Sequence, residues 1–294
     1  MILGGVEAGG TKFVCLVGDD AGTVLAERRH PTRGPTETLA EAVAALRDLT
    51  GQTGPPDAIG IGAFGPLDLR RGPRHGHLLA TPKPGWSGVD LVGPFRAAFG
   101  VPVAVDTDVT AAALAEGRWG AARGLGTFAY VTVGTGIGVG VVAGGRPLHG
   151  LVHPEAGHVS VPRAPGDEFP GVCPFHGDCL EGMASGPAVA ARWGAPAEDL
   201  TGGLRERAVD LEAHYLAHGI RTLVYAVAPE RVLIGGGLSG MPGLLPAVRA
   251  RLPGALGGYP GLPEHTDAAF VQEPGLGAMA GPCGALAVAE SALD

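Results

Sequence analysis

Val6-Glu7-Ala8-Gly9-Gly10-Thr11-Lys12-Phe13-Val14-Cys15-Leu16-Val17 carries the pattern that decides the fold class. An apolar approach meets two glycines, and an apolar run leaves them. Glycine supplies the backbone freedom of a tight turn, and the β-branched and aromatic residues after it favour a strand. The segment reads as strand, turn and strand, and Asp19-Asp20-Ala21-Gly22 turns the second strand into another at Thr23-Val24-Leu25-Ala26. A similar unit returns far downstream, where strands at Thr127–Val133 and Gly138–Val142 flank Gly134-Thr135-Gly136-Ile137-Gly138. The separation is much longer than a solenoid repeat. Two similar α/β halves facing each other account for it.

Between and beyond these units the signals alternate. Leu39, Val43 and Leu46 give a helical period over 36–49, with Thr36 or Pro35 near its cap. Residues 58–61 and 101–105 are buried strands, and 109–119 and 206–228 are helices. Val232-Leu233-Ile234 is a short strand running into three glycines, and an Ala-rich helix covers 278–293. Residues 151–183 are irregular and rich in His, Cys, Pro and Gly. The 52 glycines and 26 prolines are spread between apolar runs, so they mark turns and not a linker.

The 294 residues suffice for one large domain or two ordinary ones, and 45% hydrophobic content supports a sizeable core. A net charge of -8 argues against a nucleic-acid or acidic-membrane binder. No apolar stretch reaches the roughly 20 residues needed to cross a bilayer, and no secretory leader is expected. Lysine stands only at 12 and 83 among 21 basic residues, and both positions fall in motif-like segments. Four cysteines, two of them close together around a histidine, fit a metal site in a reducing, cytoplasmic compartment better than a disulfide framework.

Three glycine clusters are candidate anion cradles: Gly9-Gly10-Thr11-Lys12, Gly134-Thr135-Gly136 and Gly235-Gly236-Gly237. Glycine lets amide N–H groups approach an anion together, although each cluster alone reads first as a plain turn. The Walker loop is missed, because Thr11 and Lys12 stand in reverse order. The dinucleotide fingerprint is missed too, because a strand follows Gly136 where a helix is required.

Cys173-Pro-Phe-His176-Gly-Asp-Cys179 places three thiol or imidazole ligands in one loop, with His158 upstream as a fourth. Two Cys and two His make a tetrahedral zinc set. His153 and Asp178 compete for the fourth place, and a Cys173–Cys179 disulfide is the alternative. Asp106 and Asp108 follow a strand and precede a helix, where open α/β sheets place their ligands. Asp108 there is either a proton acceptor or an ordinary helix cap. Glu155 and Glu181 flank the metal loop and, taken alone, read as solvated surface charges before they read as ligands.

Taken together, Glu7-Ala-Gly-Gly-Thr-Lys12-Phe, Gly134-Thr-Gly-Ile-Gly138, Glu155-Ala-Gly-His158 and Cys173 to Gly182 resemble the signature of ROK sugar kinases across the chain. Thr107-Asp108-Val109, Phe64-Gly-Pro and Thr81-Pro-Lys-Pro-Gly-Trp86 are similar to the bacterial fructokinase branch. The resemblance implies a two-lobed actin/hexokinase-like (ribonuclease H-like) α/β fold with a zinc-binding loop. It implies an N-terminal lobe of 1–107, completed by the helix at 278–294, and a larger lobe of 108–277 containing the zinc loop 153–181. The implied reaction is ATP-dependent phosphorylation of a hexose, D-fructose at its 6-hydroxyl, with mannose, glucose or an N-acetylated amino sugar as alternatives. ATP, Mg²⁺ and structural Zn²⁺ are the implied cofactors.

By the same resemblance Asp108 is the general base, and Thr107, Glu155, His158 and Glu181 bind the sugar. Gly9, Gly10, Thr11, Lys12, Thr132, Gly134, Thr135 and Gly136 serve the phosphates, and Pro187 and Gly235 to Gly237 lie near the nucleoside. Zinc is held by His158, Cys173, His176 and Cys179. Many relatives carry Asp at the position of Glu7 and Asn at that of Thr107, which bears on the magnesium and sugar contacts. A homodimer is implied. A non-enzymatic sugar sensor, as in the family's transcriptional repressors, is disfavoured because a DNA-binding helix-turn-helix has no room ahead of Glu7.

Overall fold

Gly4 and Gly5 stand inside the first strand, where a Cβ would press on Ile59 and Leu46 from one face and on Leu16 and Ala285 from the other. A strand so crowded on both faces belongs at the centre of a sheet. In a computed structural model, which describes residues 1–293, that sheet organises the first of two units. The first unit comprises residues 1–124, 147–154 and the chain from Gly275 onward, and the second comprises 125–146 and 155–274.

In the first unit β1 (Ile2–Ala8), β2 (Lys12–Asp19) and β3 (Val24–Pro31) form an antiparallel meander. The helix α1 (Pro35–Thr53) then buries Leu39, Ala42, Leu46 and Leu49. β4 (Ala58–Ala63) lies parallel to β1, and a short pair follows, β5 (Leu67–Asp68) with β6 (His77–Leu78). Next come α2 (Gly93–Phe99), β7 (Val103–Thr107), which lies parallel to β4, and α3 (Asp108–Trp119). The sheet order is β3-β2-β1-β4-β7.

The second unit repeats this plan. β8 (Phe128–Val133) and β9 (Ile137–Ala143) form the hairpin, with β10 (Arg146–Pro147) on the outer edge. α4 (Leu180–Ala184), α5 (Gly186–Trp193) and α6 (Gly202–Val227) precede β11 (Arg231–Gly235), which runs parallel to β8. α7 (Leu244–Leu256) and β12 (Val271–Gln272) complete the order β10-β9-β8-β11-β12. The sequence echo between residues 3–17 and 128–142 is thus a repeat of topology. Val131, Val133, Val139, Leu216, Ile220 and Ile234 lie in this unit's core.

The last helix, α8 (Ala280–Glu290), returns to the first unit and packs on β1, β4 and α3. It lies so close that a Cβ at Gly60 would fall 2.0 Å from the Ala285 carbonyl oxygen, and one at Gly284 2.5 Å from the Ala111 carbonyl carbon. Small residues on three elements permit backbone-to-backbone packing. In this division the first unit extends past residue 107 to residue 124. α3 belongs with the first unit, because it is clamped against α8.

The pattern reading passes over α2, α5 and α7. Each carries proline, Pro94 in α2, Pro187 in α5, and Pro246 and Pro253 in α7, and proline reads as a turn residue. In α2 and α5 it lies in the first turn, where a missing N–H costs nothing. Among the described residues no helix is long and apolar enough to cross a membrane.

The α8 packing makes a direct prediction. Gly60→Ala forces two backbones apart and lowers unfolding stability by about 1–3 kcal/mol. Urea unfolding checks this, and an unchanged midpoint would contradict the packing.

Candidate active site

In the β1–β2 turn, Gly9 N–H donates to the Lys12 carbonyl at 3.0 Å, and Thr32 Oγ1 donates to the Gly9 carbonyl at 2.8 Å. Thr32 N–H donates to the Thr11 carbonyl at 2.9 Å, and Lys83 Nζ donates to the Gly10 carbonyl. Every carbonyl from Gly9 to Lys12 therefore faces a protein donor. The Gly10 and Thr11 amides have no protein acceptor among the described residues. Both residues are exposed, and a Cβ at Gly10 would meet nothing within 4 Å. Two unpaired donors over open space form an anion-receptive turn. Glu7 lies against Gly281, whose missing side chain makes room for the longer acid. Burial pushes its carboxyl above the usual range, against the opposing pull of Lys12.

The turn between β8 and β9 has the same construction. Gly134 N–H donates to Gly136 O at 2.9 Å, and Gly186 N–H, at the start of α5, donates to Gly134 O at 2.7 Å. The Thr135 and Gly136 amides have no acceptor among the described residues. Pro187, exposed in the first turn of α5, is thereby held beside this turn. Thr132 pairs with Gly235 across β8 and β11, and Gly236 adopts a φ of 88° that favours glycine. A Cβ there would lie 2.4 Å from Val133 O, and Gly237 faces open space.

Asp108 is the first residue of α3, half-buried, and its Oδ1 accepts Val109 N–H at 2.8 Å. The cap is Thr107. Its buried hydroxyl accepts Thr110 N–H at 3.2 Å and donates to Thr110 Oγ1 at 2.7 Å. Asp108 is thus relieved of the capping role, and the Thr107 hydroxyl, expected to face a sugar, is directed into the helix start. Ala8 is level with Ala63, and Ala63 with Thr107, across β1, β4 and β7. The anion-receptive turn and Asp108 therefore leave the same edge of one sheet, two strand spacings or about 10 Å apart.

Beside Asp108, buried Asp106 accepts Thr107 N–H at 2.7 Å and pairs with His149 Nε2 at 2.7 Å. That bond raises the affinity of His149 for its proton. His153 is buried and accepts Leu67 N–H at 3.1 Å through Nε2, and burial lowers its proton affinity. Asp178 accepts from Arg163 at 2.9 Å. Neither competitor enters the metal set.

That set is His158, Cys173, His176 and Cys179, whose donor atoms all lie within 4.8 Å of one another. All four cysteines of the chain are free thiols, which removes the disulfide alternative. His158 Nδ1 lies 3.7 Å from Cys173 Sγ and 3.6 Å from Cys179 Sγ, and His176 Nδ1 lies 3.7 Å from Cys173 Sγ. Tetrahedral thiolate and imidazole ligands about one metal ion stand ~3.5 Å apart, so the set fits. Burial pushes the Cys179 thiol up to about 11, so a thiolate there needs a cation beside it.

The same loop carries both flanking acids. Glu181 Oε2 accepts Ile137 N–H at 3.0 Å, and its Oε1 lies 3.9 Å from His158 Nδ1. A Cβ at Gly136 would fall 2.6 Å from Glu181 Oε2, so glycine is required for the acid to reach this turn. Burial, and then the nearby Glu181 charge, raise the Glu155 carboxyl above its usual range. Glu155, His158 and Glu181 are therefore one polar cluster attached to the metal set. Sequence reasoning missed Thr32 and His149, which resemble ordinary loop residues, and left Lys83 without a role although the scarcity of lysine pointed to it.

The description ROK family applies to the family model that matches residues 3–292. The chain is 44% identical to a fructokinase of Zymomonas mobilis, spanning 99% of this chain and 97% of that one. It is 38% identical to a fructokinase of Pediococcus pentosaceus, over 100% and 99%. A solved ROK hexokinase of Thermus thermophilus superposes with a TM-score of 0.82 at 32% identity, over 100% and 99%.

The metal set predicts one tightly bound divalent ion per chain. Strong chelation or Cys179→Ser should lower the melting temperature, because a bound ion contributes folding energy directly. Metal analysis of purified protein returning no bound ion would contradict it.

Proposed function

Since this chain belongs to the ROK family, we propose that it is an ATP-dependent hexose kinase that phosphorylates D-fructose at the 6-hydroxyl. The observation that carries this reading is the anion-receptive β1–β2 turn and Asp108 at one edge of a single sheet. A site that holds the transferred phosphoryl group and a base that takes the proton of the attacking sugar hydroxyl are two things the reaction needs. Full-length similarity to relatives named fructokinase supports fructose over other hexoses.

In this reading Asp108 accepts the proton of the attacking hydroxyl. Glu155, His158 and Glu181 hold the sugar. His158 turns Nδ1 toward the two sulfurs, which leaves Nε2 for a hydroxyl. Gly10, Thr11, Thr135 and Gly136 offer amides to the phosphates, with Gly9, Lys12, Thr132 and Gly134 shaping the turns. Pro187 and Gly235 to Gly237 lie toward the nucleoside. His158, Cys173, His176 and Cys179 hold a structural zinc, and their role is to fix the loop that carries Glu155 and Glu181. Magnesium bound with ATP supplies charge neutralisation. In phosphoryl transfer, positioning and charge stabilisation supply most of the rate. A cytoplasmic homodimer completes the proposal, and the free thiols fit that compartment.

A coupled ADP-release assay across fructose, mannose, glucose and an N-acetylated amino sugar tests the reading. Fructose is expected to give the highest kcat/KM, and a marked preference for another sugar would overturn the assignment. Asp108→Asn is expected to lower kcat about 10²–10⁴-fold while ATP binding survives. Near-normal turnover would remove Asp108 from the chemistry.

A further inference from the structure

Of 21 basic residues only two are lysine, and both meet at the same turn: Lys12 lies in it, and Lys83 reaches it from a separate loop. The two cations differ in their surroundings. Lys12 lies in the field of the Glu7 carboxylate. Among the described residues no carboxylate pairs with Lys83, and the only hydrogen-bond acceptor of its ammonium is the Gly10 carbonyl. The loop bearing Lys83 is firmly anchored. Trp86 is 1% exposed, its Nε1 donates to Arg33 O at 3.1 Å, and its ring packs 5.9 Å from Phe13 and 5.3 Å from Phe64. Trp86 N–H returns to Lys83 O at 3.2 Å, closing a turn that fixes the lysine backbone.

An ammonium has three N–H donors, and one is used on Gly10 O. The others remain beside two amides that have no protein acceptor. A compact ammonium can hold a carbonyl and meet an anion at once, whereas a guanidinium is larger and planar.

We propose that Lys83 is a phosphate-handling residue of this turn: it turns the Gly10 carbonyl away from the anion and presents its positive charge to the terminal phosphoryl group. The proposal deepens the kinase reading above and rests on it.

The test compares Lys83→Met and Lys83→Arg with the wild type. Lys83→Met is expected to lower kcat about 10²–10³-fold, the loss typical of removing one preorganised donor. Sugar KM, melting temperature and Trp86 fluorescence are expected to stay near wild-type values. By calorimetry the variant should bind a non-hydrolysable ATP analogue more weakly and AMP unchanged. Lys83→Arg, which keeps the charge, should recover part of both losses. Wild-type kcat in Lys83→Met, or equal weakening of AMP and the ATP analogue, would overturn the proposal. If the wild type itself phosphorylates no sugar, the kinase reading fails, and the analogue-against-AMP comparison still decides the role of Lys83.

Discussion

The orientation of a few peptide groups in the β1–β2 turn governs the chemistry proposed for this chain. A peptide group offers one donor and one acceptor, and a turn that binds an anion must hide its acceptors. Thr32, Lys83 and the Gly9 amide do this by engaging the carbonyls of Gly9 to Lys12, which leaves the Gly10 and Thr11 amides unpaired. The sheet below supplies the rigidity. β1 is central, crowded on both faces, and pressed by α8 through contacts that only glycine allows.

The second unit solves the same problem with another partner. Its turn is held by the Gly186 amide on one side and by the Glu181 carboxylate on the other. Glu181 follows Cys179 by two residues, so the geometry of the thiol and imidazole cluster reaches the turn through a short, stiff path. The loop over 159–172 has almost no regular structure. Arg192 and Tyr215 both bond Asp167 and tie it to α5 and α6. A cation held by His158, Cys173, His176 and Cys179, as proposed, would supply order where a hydrophobic core is lacking.

Much of this was legible in the sequence. The two glycine hairpins, the strand before Asp108 and the Cys-x-x-His-x-x-Cys spacing are local signals, and the structure forms each where the pattern places it. What escaped is non-local or disguised. Thr32 and Lys83 act on a turn many residues away, and local pattern does not give the partner of either. The pairing of Asp106 with His149 depends on a segment, 147–154, that returns to the first unit after a strand pair of the second. Three helices carry prolines, which read as turn residues although the first turn of a helix tolerates them. Thr107 is expected at the sugar by resemblance alone, whereas capping draws its hydroxyl into the helix start.

Amide NMR reads the central claim most directly, that the Gly10 and Thr11 N–H groups receive the terminal phosphate. With uniformly ¹⁵N-labelled protein, the account predicts that both resonances move when a magnesium-bound, non-hydrolysable ATP analogue is added and stay in place with AMP. Resonances that ignore the analogue, or respond equally to AMP, would contradict it.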